Sequence, residues 1–325
     1  THTHEIFRLG IRKLLPEQVE LISGPGCPVC VTQVGFIDEA IYLALERQVT
    51  ICTFGDLVRV PGTNMSLAGA REKGAKIRIV YSPVDAKEYA KEHPKEQVTF
   101  LSVGFETTTP SACLSVKKAR EEGLTNYSIL TANKTMPQAY EALKGSADIF
   151  LYPGHVNAIT GTKLCEELAK EGVSGVVAGF TAKELLTALA VALARFQEGR
   201  PFFVNCYPRV VTENGSPQAQ KLVEEMMEPC DSEWRGLGVI KGSGMRLQEE
   251  WSAFDARKKY KIPLIQGKAN PACRCGDVLQ GKCKPSDCKV FGKVCTPQHP
   301  IGACMVSGEG ACSAYYMYGE AEKMK

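Results

Sequence analysis

VSGVVAGFTAKELLTALAVALARFQEG (173–199) sets an apolar strand directly before a long apolar helix that starts at a Thr181 cap. The stretch before it, GTKLCEELAKEG (161–172), reads as a helix stopped by Gly172. Working outward, the same alternation recurs. VELIS (19–23), VTICTF (49–54), AKIRIVY (75–81), QVTFLSVGF (97–105), NYSILTA (126–132) and ADIFLYPG (147–154) read as strands. GFIDEAIYLALER (35–47) puts Ile37, Ala40, Ile41, Leu43 and Leu45 mainly on one helical face. Continuous apolar strands alternating with helices imply parallel sheets covered on both faces. The expected fold class is α/β, with two doubly wound parallel-sheet domains over 17–92 and 93–205 that part near the charged stretch 86–97. Residues 1–16 and 206–325 form a third, with helices expected at 215–228 and 244–258 before a cysteine-rich end.

The 325 residues are 44% hydrophobic and 23% charged, as in a globular protein of two or three domains. A net charge of +3, with no basic run interleaved with aromatics, sets nucleic acid aside as a partner. No apolar run approaches ~20 residues, so no membrane span is expected. No secretory signal is legible, and the expected compartment is the cytoplasm. The first residue is not Met, so a preceding segment is expected in the full protein.

Seven of the 14 cysteines crowd the C-terminal region: Cys273, Cys275, Cys283, Cys288, Cys295, Cys304 and Cys312. Glycine and proline punctuate that stretch, which has few large apolar side chains and cannot form a long helix. Thiolate ligation of an iron–sulfur cluster or a metal is the leading account of its folding, and disulfides are the alternative. Cys52, Cys113, Cys165 and Cys206 lie in ordinary α/β segments, where buried thiols act as small hydrophobes.

Ligands of open α/β sheets bind beyond the C-terminal ends of strands, and several motifs stand there. SGPGCPVCVT (23–32) follows the strand expected at 19–23 and carries Cys27 and Cys30 in a C-x-x-C. A redox-active pair is the preferred reading, over half a zinc site or two inert cysteines. TFGDLVRVPG (53–62) offers Asp56 and Arg59, VGFETTTP (103–110) offers Glu106, YPGHVNAITG (152–161) offers His155 and Asn157, and AGFTAKE (178–184) offers Phe180 and Thr181. Alone, Glu106 would serve as a helix cap and His155 as a structural histidine; together they lay out a cleft. No phosphate-binding glycine fingerprint is present. At the start, THTHE places His2 and His4 at i, i+2. On an extended segment they would point to one side and could reach a metal, although a frayed terminus more often turns them to solvent.

THTHE, SGPGCPVC, TFGD, GFETTTP, PGHV, AGF and the C-terminal CRCG…DC…FGKVCTP…GACMVSGEGAC resemble, in order and across nearly the whole chain, the HypD family of hydrogenase maturation proteins. The resemblance implies a scaffold and redox protein that assembles the Fe(CN)2CO centre of [NiFe] hydrogenases. It further implies a HypC-type small chaperone as partner, through it the hydrogenase large subunit, and a HypE-type cyanide donor loaded by a HypF-type protein. It implies three α/β domains and a [4Fe–4S] cluster in the C-terminal region. The family's C-x14-C-x6-C-x16-C pattern falls on Cys273, Cys288, Cys295 and Cys312, with Cys275 the alternative to Cys273. Cys275 and Cys304 are then a second redox pair, and Cys283 is incidental. The family's Cys-Gly immediately before Thr1 is absent from this sequence. That cysteine, with His4 and Cys30, is the expected holder of the Fe(CN)2CO iron, His2 being a more exposed alternative, and Glu106 and His155 would orient ligands or move protons beside it. Thiolate and imidazole suit such an iron. The rival readings are a stand-alone iron–sulfur oxidoreductase acting on a small molecule and, third, a binding module without enzymatic activity.

Overall fold

Strands β1 (Thr50–Thr53), β2 (Ile77–Ile79), β3 (Val98–Ser102) and β4 (Tyr127–Thr131) pair in parallel in the order β2-β1-β3-β4. Every residue of β1, β3 and β4 is buried, as continuous apolar strands require when helices cover both faces of a sheet. Strands β5 (Phe150–Pro153), β6 (Gly175–Ala178) and β7 (Phe203–Asn205) form a second parallel sheet in chain order. The computed structural model describes residues 2–319 of the chain.

The stretch around β6 folds as its sequence reads: β6 leads into the helix Ala182–Phe196, capped by the Thr181 side chain. Here Glu184 completes a capping box. Gly175 is needed in β6 because a Cβ there would run into the Tyr152 ring of β5. The α/β reading with parallel sheets therefore stands, but three local expectations do not. VELIS (19–23) finds no neighbouring strand to pair with and runs as irregular chain along the wall of a large cleft. The division expected at 92/93 cuts through a sheet, because β3 pairs with β1 across it.

The expected helix at 244–258 is broken up: residues 244–247 belong to a strand, and the rest forms the 3-10 turn Glu249–Phe254 and the short helix Ala256–Lys259. Met227–Trp234 and Gly238–Leu247 form an antiparallel hairpin, β8 and β9. Gly238 and Gly242 adopt left-handed φ, and Gly244 lies so close to β8 that a Cβ would be 2.7 Å from Ser232 Cβ. Three glycines in seven residues disfavour a helix and permit a tightly packed ribbon. The hairpin docks on the loop after β4, where Met245 N–H donates to Asn133 and Thr135 N–H to Ser243.

Candidate metal and thiol-redox site

Cys273, Cys275, Cys288, Cys295, Cys304 and Cys312 line one cavity of about 10 Å³. Short elements carry them: Cys275 opens the helix Cys275–Leu279, Cys304 sits in Ala303–Val306 and Cys312 in Ala311–Tyr318. Phe291 and Met305 contribute an apolar wall. Gly302 lets the chain pass close by, since a Cβ there would be 2.5 Å from Cys273 Sγ. Cys283 lies outside the lining. Hydrogen bonds from Cys273 and then Cys304 hold the Cys275 thiol well below its ordinary value. Burial raises Cys295. Soft thiols around an apolar-walled space fit the donor chemistry of an iron–sulfur cluster. Among the described residues, no group of three or more His, Cys, Asp or Glu side chains already stands at ligand geometry. The space itself would hold about one water, so the sulfurs encircle it without forming a preset coordination shell.

Cys27 and Cys30 are disulfide-bonded, with Cα atoms 5.3 Å apart. Cys27 caps the helix Pro28–Val31, its Sγ accepting the Cys30 N–H at 3.2 Å, and Pro28 presets the first turn. The pair was expected at an exposed strand end. It stands instead at a helix start and is buried, Cys27 being 3% exposed and Cys30 0%. The reason is packing: the helix Pro28–Val31 lies against Ala303–Val306, and both cysteines join one core with Cys275 and Cys304. Cys27 still reaches a wall of the large cleft, about 530 Å³, which Tyr140, Met136 and Leu279 also line.

Glu106 follows β3 and is buried, with Oε1 accepting the Met136 N–H at 2.8 Å. It is not the helix cap that an isolated Glu would be, since Thr108 precedes the helix Thr109–Glu121. Burial pushes its carboxyl up to about 7. Neither Glu106 nor His155 lines the large cleft, so of the three motifs expected to converge there only Cys27 does. His155, at the start of the helix Gly154–Thr160, is exposed and stacks on Phe180 with centroids 4.1 Å apart. His2 stacks on the same ring at 4.5 Å.

The N-terminal segment is the helix His2–Arg8, not an extended strand, and on a helix i and i+2 face different ways. His2 turns inward, bonded through Nε2 to Gly179 O at 3.0 Å, and burial lowers it to about 4. It is therefore not the more exposed of the two. His4 Nδ1 pairs with Gly308 O at 2.8 Å, in the loop between Cys304 and Cys312. Arg59 also ties to the C-terminal segment, donating to Pro297 O at 2.7 Å.

The HypD family model, described as "Hydrogenase formation hypA family", matches residues 1–319. The chain belongs to the HypD family. It is 42% identical to the hydrogenase maturation factor HypD of Cupriavidus necator, over 98% of this chain and 87% of that protein. It is 44% identical to its namesake from Rhizobium leguminosarum bv. viciae, over 98% and 86% of the two chains. For the HypD of Escherichia coli K12 the identity is 42%, over 99% and 88%.

Sequence reasoning within this HypD chain missed four residues of the site's surroundings. Tyr140 and Tyr152 are buried with their rings 4.7 Å apart in a T, and Tyr140 interacts electrostatically with Glu106. Cys165, read as a small hydrophobe, accepts a hydrogen bond from Asn157 Nδ2 at 3.2 Å, and burial raises it to about 11. Lys134 is buried, donating to Ser232 Oγ at 2.6 Å and Glu233 O at 2.7 Å. The one available signal was Lys134 itself: a lysine closing an apolar strand run, in TANKTMP (131–137), has no solvent to reach.

Proposed function

We propose that this chain serves hydrogenase maturation as an iron–sulfur and thiol-redox scaffold on which the Fe(CN)2CO centre is assembled, with a HypC-type chaperone and a HypE-type cyanide donor. The observation that carries the reading is the shared core: six thiols around one cavity, with the Cys27–Cys30 disulfide packed directly against the helix that bears Cys304. Its relatives' names as hydrogenase maturation factors supply the pathway. Cys273, Cys288, Cys295 and Cys312 would hold a [4Fe–4S] cluster, which when bound supplies one-electron chemistry. Cys275 and Cys304, the two most deeply buried of the six, remain as a dithiol beside Cys27–Cys30. The Fe(CN)2CO iron is cargo. The proposed holders stay compatible with the geometry: the His4 Nδ1 bond to Gly308 O leaves Nε2 for a metal, and Cys30 becomes a thiol donor only once its disulfide is opened.

The test is anaerobic co-purification with the chaperone, followed by iron and sulfide quantification and infrared spectroscopy. About four irons and four sulfides per chain, with cyanide and carbonyl stretches on the complex, are expected. Cluster without those stretches favours the stand-alone oxidoreductase. Cys288→Ser and Cys295→Ser should each bleach the visible cluster absorption, and full absorption in both overturns the ligand assignment.

A further inference from the structure

Four buried side-chain oxygens lack a hydrogen-bond partner among the described residues, and three of them, Glu106 Oε2, Tyr140 Oη and Tyr152 Oη, belong to side chains linked through Tyr140, whose ring packs on Tyr152 and which interacts electrostatically with Glu106. Buried polar groups are almost always partnered, by protein or by ordered water, and orphans call for a reason. Tyr140 and Tyr152 sit in the same core as Cys27 and Cys30, and so does Phe105, the residue before Glu106. Met136 links them geometrically: its N–H holds Glu106 Oε1, and it lines the large cleft with Tyr140 and Cys27. Tyr152 packs edge-on to Tyr140, one step deeper.

The chemistry supplies the need. Reducing the Cys27–Cys30 disulfide breaks one S–S bond and forms two S–H bonds, consuming two electrons and two protons. Cys30 is 0% exposed and Cys27 3%, so bulk water cannot deliver both protons directly. We propose that Glu106, Tyr140 and Tyr152 form an internal proton relay for the Cys27–Cys30 pair, with Glu106 as the proton store and the two hydroxyls as its link to the cleft. On reduction Glu106 gives up its carboxyl proton and is recharged through Tyr140 from the cleft side; on oxidation the path runs in reverse. The titratable groups that interact with Glu106 are Tyr140 and Cys165, with Tyr152 next to both, from three different elements. Burial keeps all three neutral through the range in which Glu106 titrates, so Glu106 is the group that sets the pH response. The relay rests on the reading of this pair as redox-active.

The experiment uses the full cluster-bearing protein with reduced methyl viologen, a one-electron donor with no titrating group. Two viologen radicals become dications for each disulfide opened, and quench-alkylation of the Cys27/Cys30 peptide follows the rate. In the wild type, the rate should fall as pH rises through about 7, where Glu106 loses its proton. Glu106→Gln should react at least about 100-fold more slowly, the usual scale for losing a positioned proton donor, and without that inflection. The double variant Tyr140→Phe, Tyr152→Phe should be slow too while folding at least as well, since it deletes two orphan hydroxyls. Wild-type rate and pH profile in Glu106→Gln overturn the relay. If that variant does not fold, a double Phe variant as fast as wild type overturns it. A wild-type pair that takes no electrons until the protein unfolds overturns the thiol-redox reading itself, and the relay with it.

Discussion

Glu106 is a carboxyl whose folded state favours the proton. Its value rises from 4.5 to about 7 through burial, so between those pH values the folded chain binds a proton that the unfolded chain has released. Stability contributed by this group is full below the unfolded value and is lost as pH rises through the folded one, a fall of about 3 kcal/mol. In Glu106→Gln, denaturant midpoints should lose that slope between the two values; a variant as pH-sensitive as wild type would mean that the carboxyl is charged throughout. The amide keeps the Met136 N–H bond and trades one orphan oxygen for an orphan donor, so folding should survive. Glu106, Cys27, Cys30 and the six cavity thiols were all legible in the sequence, because titratable groups beside glycine turns stand out there. Tyr140, Tyr152 and Cys165 were not, since in an apolar run a tyrosine or cysteine looks like any core residue until its polar atom is seen without a partner. The inward turn of His2 was equally hidden, because a helix and an extended segment share the same letters THTHE.

Among the elements, the β8–β9 hairpin departs most from its sequence reading and depends on one side chain. Lys134 reaches it from the loop after β4 and donates to Ser232 Oγ and Glu233 O, with the Trp234 ring 5.4 Å away. Two neutral acceptors match the two N–H groups of an uncharged amine, and burial lowers Lys134 from 10.5 to about 7. Here the folded chain holds fewer protons than the unfolded one between those values, so stability rises with pH across them, by roughly 5 kcal/mol. Lys134→Met should flatten that rise and speed amide exchange in β8 and β9, leaving β1 and β3 protected. An unchanged pH slope would show the lysine to be charged in place. Six of the seven parallel strands were legible as largely apolar runs, whereas β7 (Phe203–Asn205), three half-buried residues, was not. The hairpin was not, because its pairing is long-range and its glycines are excused only by the close approach of β8. The strand expected at 19–23 failed for the converse reason: apolar letters do not make a strand without a partner edge.

At the scale of the whole molecule, the C-terminal cysteine segment is the joint between the parts. The helix Ala311–Tyr318 packs on His2–Arg8, Ala303–Val306 packs on Pro28–Val31, and Pro297 O receives Arg59. A segment this poor in large apolar side chains contributes little burial of its own, so the proposed cluster would stabilise these contacts together. Two glycines separate that cause from mere chain stiffness. A Cβ on Gly302 would sit 2.5 Å from Cys273 Sγ but 3.6 Å, ordinary contact, from Cys275 Cβ, whereas one on Gly308 meets nothing within 4 Å. Gly302→Ala should therefore displace Cys273 at an overpacking cost of about 1–3 kcal/mol. It should lose most of its iron and raise amide exchange over 273–318 and in the helices His2–Arg8 and Pro28–Val31, while the four-stranded sheet keeps its protection. Gly308→Ala should keep both iron and protection. Full iron occupancy in Gly302→Ala would remove Cys273 from the ligand set and put Cys275 in its place, because only the Cys273 sulfur stands in the way of the new methyl group.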